Sequence, residues 1–170
     1  IDSLAEKLLE LLDGASQMLY CFSREDTQQL VQHSLQQLRA LSRQGKQCPT
    51  YLADLDPLLD AMRLLKSAAE VAQMQAACDI SVTAHKRAMS VCKVGMNEYH
   101  LAAEVHHQFA VQGSARVAYG SIVAGGDNAC ILHYTNNDQP LQDSDLVLID
   151  AGCELDHYAA DITRTFPVNG

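Results

Sequence analysis

The sequence has no long apolar run and few basic residues, and each of these deficits excludes a class of protein. No stretch approaches the roughly 18 consecutive apolar residues that a membrane-spanning helix needs, so no membrane partner is expected. Lys and Arg number 12 against 21 Asp and Glu, which gives a net charge of −9. Because affinity for nucleic acids depends on clustered Lys and Arg, a nucleic-acid partner is not expected either.

The cysteines lack the spacing of a metal site. They include no Cys-x-x-Cys pair and no closely spaced set of Cys and His, which are the arrangements typical of structural zinc. Scattered cysteines of this kind are interpreted as reduced thiols, mostly buried, and they predict a cytoplasmic protein. The six are Cys21, Cys48, Cys78, Cys92, Cys130 and Cys153.

Two regions of different pattern divide the chain. Residues 1–48 alternate helical and strand patterns, as in an α/β domain, and lead into residues 43–50, which contain glycine and proline but no periodicity. Residues 49–170 begin with helices and continue after Gly113 as short β-type runs. The predicted fold class is α+β, with the C-terminal part of an α/β domain before a second domain. The chain has no initiator Met and ends just after a strand, so both ends are expected to be cut.

The second region opens with a long predicted helix over residues 67–92, where Ser67 and Glu70 form a capping box. Its buried stripe is predicted from apolar spacing to be Val71, Met74, Cys78, Val82, His85, Met89 and Cys92. His85 is interpreted as a hydrogen-bonded core histidine rather than a ligand. Strands are predicted over residues 117–123, 131–134, 146–151 and 158–166.

Two acids come together in the predicted hairpin. The apolar run 146–149 ends in Asp150, which is the pattern of a buried strand that delivers a carboxylate at its end. Asp161 lies in the following strand. If the turn centres on Leu155-Asp156, Asp150 and Asp161 are cross-strand neighbours, with Cβ atoms about 4.5–5.5 Å apart.

Like charges in such a position destabilise a sheet, and a divalent cation between them reverses that effect. Hard cations such as Mn²⁺ bind carboxylate oxygens. Three interpretations of the pair follow from the residue types: a metal site, a dyad that shares a catalytic proton, or structural hydrogen bonds to neighbouring loops. A one-residue slip at a bulge near Gly152 would place the acids on opposite faces.

The same residues resemble a known family. Residues 148–153 (LIDAGC) and 158–168 (YAADITRTFPV) resemble the first metal-ligand hairpin of the aminopeptidase P family. The resemblance covers nearly the whole chain, including the segments around Glu70, Glu98 and His133. It implies that residues 1–48 end an N-terminal α/β domain and that residues 49–170 form the first half of a pita-bread domain.

The resemblance also implies a ligand set and a reaction. In this family the two pseudo-symmetric halves of the pita-bread domain hold two divalent cations, usually Mn²⁺. Asp150 would bind one metal, Asp161 would bridge both, and a hydroxide between the metals would attack the peptide carbonyl. The substrates would be peptides with proline at the second position, and the full-length protein would be a homo-oligomer.

Two further residues are assigned by the resemblance. His133 matches an active-site histidine that contacts substrate and stabilises the reacting carbonyl region, which gives it a catalytic and substrate-binding role. Tyr119 corresponds to a tyrosine near the metal site, with packing in a strand as its alternative role. The family requires one more His and two Glu beyond these 170 residues. The isolated chain is therefore expected to be inactive and to bind metal weakly or not at all.

Several alternatives share the fold. Prolidase, which cleaves dipeptides ending in proline, is the closest. Methionine aminopeptidase is disfavoured by the preceding domain, and metal-free creatinase is disfavoured because both acids are present. An alternative of a different class is a non-catalytic binding module built on the same fold, since fold alone does not determine function.

Overall fold

The structure of the protein is a computed structural model that describes residues 2–169. The chain divides into two compact units, with the boundary in the sequence between Leu65 and Lys66. The first unit contains, in order, α1 (Asp2–Leu12), β1 (Gln17–Tyr20), α2 (Glu25–Ala40), a 3₁₀ turn (Ser42–Gln44), β2 (Tyr51–Asp54) and α3 (Asp56–Leu64). Its core is formed by Leu12, Tyr20, Val31, Leu35 and Leu38.

The division of the chain differs from the boundary that the sequence predicts at residue 48. β2 lies beyond that residue, but it pairs in parallel with β1, so that Gln17 faces Tyr51 and Tyr20 faces Asp54. The hydrogen bonds of this ladder keep the segment after Pro49 in the first unit, despite the breaker that precedes it. The assignment of residues 1–48 to a separate domain stays a prediction.

The second unit has two helices followed by antiparallel strands, in agreement with the predicted α+β class. Its elements are α4 (Ala68–Val91), α5 (Glu98–Val111), β3 (Arg116–Val117), β4 (Ile122–Gly125), a 3₁₀ turn (Gly126–Cys130), β5 (Leu146–Asp150), β6 (Cys153–Leu155), β7 (Tyr158–Ala159) and β8 (Thr163–Pro167). The strands form two antiparallel sheets, in the orders β3-β6-β7 and β4-β5-β8. Their core includes Leu101, Val105 and Phe109 of α5 with Val147 and Ile149 of β5.

Helix α4 begins as predicted, but its buried face coincides with the predicted stripe only in part, at His85. The capping box is present: the Glu70 amide donates to Ser67 Oγ at 3.3 Å, and the Ser67 amide donates to Glu70 Oε2 at 2.6 Å. Val71, Val82 and Met89 of the predicted stripe are 55%, 39% and 37% exposed. The buried residues are Ala77, Ser81, Ala84, His85 and Ala88. Small side chains occupy this face because they let α4 approach its neighbours closely.

Three of the predicted strands differ from those observed. Residues 117–123 form parts of two strands, β3 and β4, instead of one. Residues 158–166 are interrupted at 160–162, between β7 and β8. Residues 131–134 form no strand, and His133 there has a φ of 55°. A left-handed backbone conformation is incompatible with a regular strand.

Candidate functional site

The hairpin that carries the two acids turns one residue later than predicted. Leu155 pairs with Tyr158, so the two-residue turn is Asp156-His157. These residues have φ values of 47° and 72°. Two-residue hairpin turns with positive φ at both positions usually contain glycine or asparagine, and neither is present here to signal the turn.

The later turn changes the partner of Asp150. In the ladder between β5 and β8, Asp150 faces Thr163 and not Asp161, so the predicted cross-strand pairing of the two acids is wrong. Asp161 precedes Thr163 by two residues, which makes it a diagonal neighbour of Asp150, within reach of a long side chain. Asp150 is half-buried and Asp161 is exposed.

Tyr119 brings the two acids into one hydrogen-bonded group. Its hydroxyl lies 2.5 Å from Asp150 Oδ1 and 3.0 Å from Asp161 Oδ1. The phenolic hydroxyl has a single hydrogen, so it donates to one carboxylate at a time. Burial, followed by these hydrogen bonds, raises the pKa of Tyr119 above its usual value, which keeps the hydroxyl in its donor form. Tyr119 lies in the bend between β3 and β4, not in a strand.

Gly152 allows the close approach of the segment that carries Asp161. A Cβ atom at Gly152 would lie 1.7 Å from the carbonyl oxygen of Ala160. The Ala160 amide donates to the Cys153 carbonyl at 2.9 Å, which fixes this crossing. No side chain larger than hydrogen fits at residue 152 unless the neighbouring backbone moves.

His85 forms a hydrogen bond with the backbone that connects the two acids. The residue is 3% exposed, and its Nε2 lies 3.0 Å from the carbonyl oxygen of Ala151. Ala151 directly follows Asp150. The prediction of a hydrogen-bonded core histidine is therefore confirmed.

His133 shares a cavity with the other candidate residues. The cavity has a volume of about 340 Å³ and is lined by Tyr119, Gly120, Ile122, His133, Thr135, Asp150 and Asp161. The side chain of His133 is exposed. All four residues singled out from the sequence thus meet at one cavity, although three of them belong to loops or to interruptions between strands.

An apolar wall beside this cavity was not predicted. A neighbouring pocket of about 280 Å³ shares His133 and Asp150 and is otherwise lined mainly by Ile122, Ala124, Ala129, Ile131, Leu132 and Leu148. Leu132 is 85% exposed. The apolar run before His133 is the signal of this wall in the sequence, but taken alone the pattern predicts a strand.

The donor set fits part of a divalent metal site. Two carboxylates that face one cavity are the hard oxygen ligands that Mn²⁺ and similar cations bind. Among the side chains that the structure describes, no three of His, Cys, Asp or Glu converge as a group that could hold a metal ion. Asp150 and Asp161 therefore supply a fraction of a coordination sphere.

The comparison with protein families identifies the family of this chain. The sequence model of metallopeptidase family M24 matches residues 72–170. The chain belongs to metallopeptidase family M24. Membership implies divalent metal cofactors, in agreement with the two carboxylates at the cavity. No helix within residues 2–169 combines the length and the apolar character of a membrane span.

The relatives agree with the resemblance found in the sequence. The Xaa-Pro aminopeptidase of Escherichia coli (strain K12) is 45% identical over 168 residues, which cover 97% of this chain and 38% of that protein. The Xaa-Pro aminopeptidase of Haemophilus influenzae is 52% identical over 119 residues, or 70% of this chain and 28% of that protein. The chain thus spans about two fifths, or less, of these relatives.

Solved structures confirm the pita-bread fold class. Proline aminopeptidase P II from Yersinia pestis matches with a TM-score of 0.96 and 46% identity, over 98% of this chain and 38% of that one. The aminopeptidase PepP of Pseudomonas aeruginosa matches with the same TM-score, identity and coverage. The resemblance to aminopeptidase P is confirmed by these matches.

Proposed function

We propose that the protein to which this chain belongs is a metal-dependent aminopeptidase that hydrolyses the bond between an N-terminal residue and a following proline. The observation that carries this proposal is the group formed by Tyr119, Asp150 and Asp161 at a cavity that His133 also lines. The Xaa-Pro aminopeptidases of E. coli and H. influenzae support it as relatives. The activity is assigned to the whole protein, since the chain spans about two fifths of the E. coli relative.

In this proposal the two acids are metal ligands. Asp150 and Asp161 would hold divalent cations through their carboxylate oxygens, with Mn²⁺ as the proposed metal. Bound divalent cations lower the pKa of water towards neutrality and polarise a carbonyl group. The Tyr119 hydroxyl donates to one of these carboxylates at a time and lies within hydrogen-bonding distance of both, so it helps to fix their orientation, as outer partners of metal ligands commonly do.

His133 is proposed to act on the peptide. Its side chain is exposed in the same cavity as the acids, where an imidazole N–H can donate to the carbonyl oxygen of a bound substrate. A donor fixed near the oxygen on which charge develops lowers the barrier of acyl transfer. The apolar side chains beside it give this end of the cavity a surface suited to the ring of proline.

A peptidase assay on the intact protein tests the proposal. Xaa-Pro-Yaa peptides should be hydrolysed faster than matched Xaa-Ala-Yaa peptides, and a chelator should abolish the activity until Mn²⁺ is added back. A preference for Xaa-Pro dipeptides over longer peptides would identify a prolidase instead. Binding of such peptides without hydrolysis in any divalent metal would identify a non-catalytic binding module.

Other parts of the proposal rest on the resemblance and the composition. The whole protein is proposed to be a homo-oligomer in which residues 1–48 end an N-terminal α/β domain. A cytoplasmic location is proposed from the cysteines, all six of which are free.

A further inference from the structure

A fully buried carboxylate lies beneath the loop that carries His133. Glu98, the first residue of α5, is 0% exposed. Its Oε1 accepts hydrogen bonds from the Gly125 amide at 2.8 Å and from Asn128 Nδ2 at 3.0 Å. Its Oε2 accepts from the Tyr134 hydroxyl at 2.8 Å and from the Gln139 amide at 3.0 Å. Within residues 2–169, no salt bridge involves this carboxylate.

A buried carboxylate without a cation is costly, so the four donors must compensate for its lost hydration. All four are neutral groups, and the N-terminus of α5 adds a favourable potential to them. Burial and the bond to Glu98 raise the pKa of Tyr134 to about 12, which keeps its hydroxyl a donor. The metal chemistry proposed above does not use Glu98, so its burial needs another explanation.

The donors bracket His133 along the chain. Gly125 and Asn128 precede it, and Tyr134 and Gln139 follow it. The backbone between Gln139 and Glu98 is bonded as well, since the Glu98 amide donates to the Gln139 carbonyl at 3.0 Å. One carboxylate therefore closes both ends of a loop whose exposed tip contains His133.

Asn137 ties the same loop to the strand beside Asp150. Its Oδ1 accepts from the Val123 amide at 2.7 Å, and its Nδ2 donates to the Ser121 carbonyl at 2.8 Å. Ile122, between these two residues, faces Asp150 in the ladder of β4 and β5. The loop thus has one anchor in α5 and another next to the candidate metal ligands.

We propose that Glu98 is a positioning residue, whose buried carboxylate holds the loop 125–139 so that His133 faces Asp150 and Asp161 across the cavity. The inference rests on the proposed function for the role of His133 in substrate binding. The hydrogen bonds that carry it are those of Glu98, and they do not depend on that function.

The site requires a carboxylate in particular, because four donors converge on it. A glutamine side chain has one acceptor oxygen and an NH₂ group that opposes donors. Tyr134 can rotate its hydrogen towards Asp138 Oδ1, which lies 3.3 Å away, and can then accept from an amide. The backbone amides of Gly125 and Gln139 cannot reverse. Glu98→Gln therefore leaves at least one of these two part-buried backbone N–H groups without its acceptor.

The test compares Glu98→Gln with Glu104→Gln in the intact enzyme. Glu104 lies on the same helix and forms a surface salt bridge with Arg87 at 2.9 Å, so it is a matched control. With an Xaa-Pro-Yaa peptide, Glu98→Gln should lower kcat/KM on the order of 10- to 100-fold, the effect of a misplaced substrate contact. Glu104→Gln should leave it unchanged.

A double-mutant cycle with His133→Ala separates positioning from general destabilisation. If Glu98 acts through His133, Glu98→Gln should cost less than about 2-fold once His133 is Ala, because coupled residues are not additive. Equal losses in both backgrounds would overturn the inference. Should Glu98→Gln fail to fold, Tyr134→Phe removes one of the four donors and should show the same pattern with a smaller loss.

Hydrogen–deuterium exchange of residues 125–139 gives a readout that needs no activity. Exchange should be faster in Glu98→Gln than in the wild type or in Glu104→Gln, and unchanged exchange would overturn the inference. If His133→Ala leaves hydrolysis unchanged, the proposed role of His133 fails, whereas the exchange data still decide whether Glu98 holds the loop.

Discussion

Single residues set the geometry of the candidate site through contacts that few substitutions would preserve. The Tyr119 hydroxyl joins Asp150 and Asp161, and Gly152 permits the crossing that brings Asp161 to them. The residue types of the two acids and of His133, with the family resemblance, are sufficient to select them from the sequence. The resemblance also selects Tyr119, but its contact with both acids and the crossing at Gly152 depend on distances, which no residue pattern contains.

Gly152→Ala should destabilise the protein and displace Asp161. The new Cβ would lie 1.7 Å from the Ala160 carbonyl oxygen, and this atom belongs to backbone that cannot rotate away. Overpacking of this kind costs about 1–3 kcal/mol or more. The loss should appear as a lower midpoint in urea unfolding of the intact protein.

Gly120→Ala is the matched control for that substitution. Gly120 lines the same cavity, but the nearest atom to a Cβ at this position would be Thr135 Cγ2 at 3.9 Å, which is an ordinary contact. The unfolding midpoint of this variant should stay close to that of the wild type. Equal stability of both variants would contradict the close crossing at Gly152.

At the scale of elements, local sequence signals predict where a helix begins better than they predict which of its faces is buried or which strand residues pair. The capping box of Ser67 and Glu70 fixes the start of α4, because it is a short-range pattern. The buried face of α4 is predicted only in part, at His85, because hydrophobicity favours Val71 over alanine, whereas close helix packing favours small residues. The register is mispredicted because the turn Asp156-His157 adopts positive φ without glycine.

The loop around His133 fails as a predicted strand for a related reason. Its sequence is apolar enough for a strand, but the backbone of His133 is left-handed, and the carboxylate of Glu98 holds the two ends of the loop through the amides of Gly125 and Gln139. Glu98 itself does not stand out in the sequence, because an acid in the first turn of a helix is common for electrostatic reasons alone. Its four donors are distant in sequence and converge only in the fold.

Glu70 links the start of α4 to the hairpin that carries the acids, and this link should depend on pH. Its carboxylate accepts from the Ser67 amide and from the Tyr158 hydroxyl, the latter at 2.8 Å. These bonds, led by that of the Ser67 amide, lower the pKa of Glu70 from 4.5 to about 2. A lowered folded-state pKa stabilises the protein above the unfolded-state value, and this contribution is lost as the pH falls from about 4.5 towards 2.

The measurement is the unfolding midpoint of the intact protein between pH 3 and pH 7. The wild type should exceed Glu70→Gln by a constant margin above about pH 5, and the margin should shrink at lower pH. Tyr158→Phe keeps the carboxylate but removes one donor, so its margin should be smaller above pH 5 and should stop shrinking at a higher pH than that of the wild type. A margin independent of pH would contradict the lowered pKa.

At the scale of the whole molecule, the fold is predictable from the family resemblance. How many metal ions this chain can hold by itself is not. The resemblance covers nearly the whole chain, and the TM-score of 0.96 with the Yersinia structure agrees with it. Metal binding by this chain depends instead on the side chains that its described residues place at the cavity. They supply two carboxylates to the cavity and no group of three metal-binding side chains.

The 170-residue chain should therefore bind Mn²⁺ weakly or not at all. Hard divalent cations take about six oxygen ligands, and two side chains leave most of that sphere to water. Calorimetric titration of the chain with Mn²⁺ should give a shallow curve, and Asp150→Asn combined with Asp161→Asn should abolish whatever heat of binding is present. Circular dichroism of both samples controls for folding. Tight binding at two sites would contradict the prediction, because Asp150 and Asp161 could not then be the main source of affinity.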